Sequence, residues 1–77
     1  MNMTSTVAKS PVVPSIGAVL AEARQTRGYS LDNVAETTGL TVAEVTALEK
    51  NADFDASRIR RTAAALGVLD KIRTRLG

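Results

Sequence analysis

Three glycines punctuate this 77-residue chain at helix-length intervals. Gly28, Gly39 and Gly67 each follow a stretch in which apolar residues recur three and four positions apart. Glycine is the residue that most readily takes the left-handed turn closing a helix, so each marks a stop. Ser15 caps the first stretch, in which Ile16, Val19, Leu20 and Ala23 share a face, and a helix is predicted over about Ser15 to Arg27. Ser30 caps the second, with Asp32 complementing the dipole in its first turn and Leu31, Val34, Ala35 and Thr38 repeating the spacing. Thr41 opens the third only two residues after Gly39. Its Thr41-x-x-Glu44 pattern is a capping box, and Val45 and Leu48 point inward. A polar, acidic loop from Asn51 to Asp55 leads into a fourth helix, roughly Ala56 to Leu66, which buries Ile59, Ala63 and Leu66. Beyond Gly67, Val68, Leu69, Ile72 and Leu76 predict a short final helix. There is no strand signal and no internal repeat. The expected fold is all-α, a compact bundle of four to five helices.

So short a chain makes one small domain, which buries only about 60% of the surface its unfolded form exposes. It contains neither Cys nor His, so disulfides and a zinc site of the usual ligands are excluded and helix packing must supply the core. The same absence argues against catalysis, because acid–base chemistry near neutral pH relies most on His. The carboxylates are scattered and no glycine-rich phosphate cradle occurs, so no enzyme activity, cofactor or metal is expected. A net charge of +2 permits nucleic-acid binding without announcing it. The longest apolar stretch, Val12 to Ala21, is broken by Pro14 and is short of the ~20 residues that span a bilayer. With a single Lys9 and no long apolar run, the N-terminus does not read as a secretory signal, and the expectation is a cytoplasmic protein with no membrane partner. Residues 1–14, rich in Ser, Thr and Val and interrupted by Pro11 and Pro14, read as a flexible N-terminal arm, and residues 15–77 as the domain.

The brief Gly39-Leu40-Thr41 connection between the second and third helices is the arrangement of a helix-turn-helix. Several further features fall in order around it. They are Leu20-x-x-x-Arg24, Gly28-Tyr29-Ser30-Leu31, Val34-Ala35, Val45-x-x-Leu48-Glu49 and Ala63-x-Ala65-Leu66-Gly67-Val68. On these, Ile16 to Val68 resembles the Cro/CI (XRE-type) helix-turn-helix family, with its lambda-repressor-like fold. The resemblance implies an ion pair between Arg24 and Glu49 joining the first and third helices. It also implies that the third helix, about residues 41–50, reads the major groove of double-stranded DNA. The residues then facing bases are Val42, Ala43, Glu44 and Thr46, with Ala47 flanking. Val42 and Ala43 suit thymine methyls, and Glu44 suits a cytosine amino group, unless it serves only to cap its own helix. Phosphate-contact candidates are Ser30, Thr41, Lys50, Arg58 and Arg61, with Arg60 and the basic tail of Lys71, Arg73 and Arg75 in reserve. Two features depart from the family pattern. Base-facing positions that often carry Gln, Arg, Ser or Asn are here apolar or acidic. Positions near phosphate are Leu31 and the acidic Asp53-Phe54-Asp55, and carboxylates repel phosphates.

A second resemblance accommodates these departures. Leu31 to Thr38, Ala47-Leu48-Glu49 and Ala52 to Asp55 are similar to the N-terminal domain of the RodZ cell-shape protein family. That family keeps the helix-turn-helix fold and uses it to dock a cytoskeletal protein. Under it, Phe54 becomes a contact and Val42 and Ala43 part of an apolar patch, whereas a lone aromatic in a small domain is expected to tuck against the fourth helix as core. RodZ-like proteins continue into a membrane helix and this sequence stops at Gly77, so a stand-alone regulator is expected. The leading expectation is a DNA-binding transcriptional regulator, a small repressor acting as a homodimer; the alternative is a protein-interaction module. Leu69, Ile72 and Leu76 form the candidate self-association surface, unless they pack back on their own core.

Overall fold

Side-chain caps set where the helices begin. The computed structural model describes residues 13–76, so most of the 1–14 arm lies outside the described residues. Helix α1 spans Ile16–Thr26, and the Ser15 hydroxyl accepts from the Ala18 amide. Helix α2 spans Leu31–Thr38 behind a full capping box, in which Ser30 accepts from the Asn33 amide and Asn33 accepts from the Ser30 amide, both at 3.0 Å. Helix α3 spans Val42–Glu49 and α4 spans Ala56–Ala65, the latter capped by the Asp55 carboxylate at the Arg58 amide. Helix α5 is a single turn, Leu69–Ile72, continued by a 3₁₀ turn over Arg73–Leu76.

The helices stop where the glycines stand. Gly28, Gly39 and Gly67 have φ of 71°, 78° and 73°. The end of α3 has no glycine, and Asn51 takes the left-handed conformation there, with φ 59°. The Ala52 amide closes that turn on the Ala47 carbonyl at 2.8 Å, as Val68 does on Ala63 at the end of α4.

Helix α3 packs on α1 and α2, α2 also packs on α4, and α4 packs on α5. The core is the set the periodicity marks: Leu20, Ala23, Val34, Ala35, Val45, Leu48, Ile59, Ala63, Leu66 and Val68 are buried. Ile72 joins them with no exposed surface, so it is a core residue and not part of a self-association surface. Leu69 and Leu76 are half-buried against the same cluster, so the C-terminal segment folds back on its own domain. The aliphatic side chains fill this interior without the lone Phe. Phe54 is 67% exposed, contrary to the expectation that it packs on the fourth helix. Among the described residues no helix is long and apolar enough to cross a membrane.

Candidate functional site

Thr38 builds the turn. Its hydroxyl donates to the Val34 carbonyl at 2.7 Å and accepts from the Leu40 amide at 3.3 Å, while the Gly39 amide bonds the Ala35 carbonyl. One buried side chain thus ends α2 and aims the chain into α3, with Leu40 half-buried beneath the turn. Helix α3 then starts with its capping box closed: Thr41 accepts from the Glu44 amide at 3.0 Å, and Glu44 Oε1 accepts from the Thr41 amide at 2.9 Å.

The base-facing candidates separate on this geometry. Val42 and Ala43 are exposed at the N-terminal end of α3, while Thr46 and Ala47 are half-buried farther along. Glu44 is half-buried and committed to its cap, so one of its carboxylate oxygens already has a partner.

The phosphate-contact candidates separate further. Arg61 donates to the Thr38 carbonyl at 3.3 Å, which holds its guanidinium against the helix-turn-helix turn, and among the described residues no carboxylate pairs with it. Arg58 is engaged elsewhere: its Nε lies 2.8 Å from Asp53 and its Nη2 3.9 Å from Asp55. The Arg58 guanidinium, helped by the Asp55 amide, holds the Asp53 carboxyl below its ordinary range. Asp53 in turn raises Arg58, to which Asp55 and Glu44 add a smaller electrostatic share. Arg58 is therefore a neutralised cation among three carboxylates rather than a free phosphate ligand. Lys50 is exposed at the end of α3, and the Ser30 and Thr41 hydroxyls both cap their own helices. In the tail, Arg73 pairs with Asp70, and Arg75 donates to the Pro14 carbonyl.

Beneath this surface, Arg24 and Glu49 tie α1 to α3. Two parallel bonds, Nε to Oε2 at 2.6 Å and Nη2 to Oε1 at 3.2 Å, make the contact bidentate. Arg24 also donates to the Tyr29 carbonyl at 3.0 Å, which pins the loop before α2. The bond to Glu49 raises the Arg24 pKa against the opposing cost of burial. Two residues outside the motif complete the seam. The Asn51 carboxamide accepts from the Gly17 amide at 3.0 Å and donates to the Ser15 hydroxyl at 2.9 Å. Gly17 admits this contact because a Cβ there would fall 2.6 Å from the Leu48 carbonyl, and closer still to that of Glu49. Periodicity marks neither residue; a glycine inside an otherwise good helix was the one available signal.

A family model described as a helix-turn-helix domain matches residues 19–72, more than half of the chain. No curated protein and no solved structure matches. The matching region runs from the middle of α1 to the end of α5 and contains the whole Thr38–Glu44 turn. Both resemblances read from the sequence are to helix-turn-helix domains, and the chain belongs to the helix-turn-helix domain family.

Proposed function

We propose that this domain binds double-stranded DNA through the exposed N-terminal end of α3 and regulates transcription by binding rather than catalysis, most simply as a repressor in the cytoplasm. The observation that carries the reading is Arg61, a cation without a carboxylate partner among the described residues, held at the turn by the Thr38 carbonyl. That position suits Arg61 to a phosphate contact beside a helix lying in the groove, which supports this reading. Val42 and Ala43 offer thymine methyls an apolar contact and little hydrogen-bond readout. Binding is accordingly dominated by phosphate contacts, with modest discrimination between sequences. Two copies on a two-fold symmetric site, half-sites about one helical turn apart, supply the missing selectivity. Leu69 and Leu76 remain the self-association candidates.

A second reading, a protein-docking module, is favoured by one observation: Phe54 stands exposed within the loop in which Asp53 and Asp55 neutralise Arg58. A titration of the protein with mixed genomic duplex fragments, at low and then rising salt, separates the two. DNA binding predicts retention with a steep salt dependence, and Arg61→Ala weakens it on all sequences and lowers the salt slope by about one. Absence of binding at low salt overturns the DNA reading and moves the search to partners of the Phe54 loop.

A further inference from the structure

On the α1 side of the domain, the outer face of α1 and the Val68–Lys71 segment enclose a groove of about 360 Å³. It includes no residue of α3. Its apolar lining comes from buried Ala23 and Val68 with half-buried Val19. Arg27 and Lys71 stand exposed along it, opposed by one carboxylate, Glu22. The Arg27 guanidinium is laid over Gly67, 2.9 Å from where a Cβ would stand. At the other end Pro14 lines the groove, and its carbonyl holds the Arg75 guanidinium. Among the described residues none of Arg27, Lys71 and Arg75 is in an ion pair.

A concave apolar floor with a few charged groups on its rim is the usual make-up of a small-molecule site, and this volume lies at the small end of such sites. The excess of cation over carboxylate fixes the sign of the ligand. We propose that this groove binds a small organic anion, an apolar body carrying one carboxylate, sulfonate or phosphate group. The apolar body lies on Val19, Ala23 and Val68, and the anionic group is held between Arg27 and Lys71 through charge-assisted bonds. The site is independent of the DNA reading, since it shares no residue with the turn or with the exposed end of α3.

The test titrates the full chain with anilinonaphthalene sulfonate, an aromatic anion whose fluorescence rises on leaving water, and with N-phenylnaphthylamine, its uncharged counterpart. Saturable one-to-one binding of the sulfonate is expected, with amide NMR shifts at Val19, Ala23 and Val68. Arg27→Gln with Lys71→Gln weakens it by about tenfold, the effect of losing charge-assisted bonds. Lys71→Gln alone, on an exposed side chain, gives a smaller loss and serves where Arg27→Gln disturbs the packing over Gly67. The proposal is overturned by non-saturable binding, by equal binding of the uncharged compound, or by shifts clustered instead around Tyr29 and Leu66.

Discussion

Two arginine–carboxylate pairs in this small domain have the same chemistry and opposite roles. Arg24 and Glu49 are 25 residues apart, hold each other bidentately and keep only 15% and 12% of their side-chain surface exposed. Arg58 and Asp53 are five residues apart, meet through one guanidinium nitrogen, and are 37% and 20% exposed. The first pair closes a long stretch of chain and fixes α1 against α3, with each charge shielded from water and therefore dependent on the other. The second orders a loop that local geometry already favours and remains open to solvent, where screening leaves an ion pair little weight in stability. What it changes is the surface, because it turns the arginine nearest the acidic loop from a phosphate ligand into a neutral patch. Burial and chain separation, rather than the identity of the partners, decide which pair carries the fold.

The comparison is broken most severely by Glu49→Ala, which leaves Arg24 charged and half-buried, with the Tyr29 carbonyl but no carboxylate against it. The expected loss is about 3 kcal/mol, a large part of the stability of a domain this size, read as a lowered midpoint in urea. Arg58→Ala in the same assay moves the midpoint far less. Equal shifts in the two variants would remove the distinction drawn here. Gly17→Ala sharpens it by acting on the α1–α3 seam without touching a charge. Alanine gains about 1 kcal/mol in helix propensity, but its Cβ meets two backbone carbonyls that cannot rotate away. Overpacking wins, with a net loss of about 1 to 2 kcal/mol by thermal melting.

The smallest effect on stability belongs to Asp53→Asn. Because the folded-state pKa of Asp53 is depressed, its contribution is present above the unfolded value near ~3.9 and is lost as pH falls through the folded one. Wild type therefore loses more stability than the variant between neutral pH and pH ~3. The same substitution removes the nearest of the three carboxylates around Arg58, and in the duplex titration affinity rises and the salt slope steepens by at most about one.

These pairs also show how far the sequence could be read. Arg24 and Glu49 were legible through family resemblance, and the helix ends through Ser15, Ser30, Thr41 and the three glycines, because caps and stops are local chemistry. The Thr41–Glu44 box was explicit in the pattern. The Ser30–Asn33 box was not, since Asn is not the usual reciprocal partner. Phe54 is expected in the core and is exposed, and Ile72 is left open between core and self-association surface, because which apolar side chains fill a core depends on how the elements pack. Ile72 completes an aliphatic interior with no exposed surface, while Phe54 stays 67% exposed. Of the candidate site, the location of helix three was readable. That Arg58 is neutralised was not, because it depends on distances between the side chains of the acidic loop and those of α4. The Asn51–Gly17 contact was invisible for the same reason.

That contact bears on the order in which the domain assembles. The first amides of α1 are held partly by Asn51, 34 residues farther along the chain. A nascent chain cannot make this bond until the end of α3 has left the ribosome, so Ser15 alone must hold the start of the first helix until then. The N-terminal edge of the domain is thus set only after the helix-turn-helix that it braces has been made.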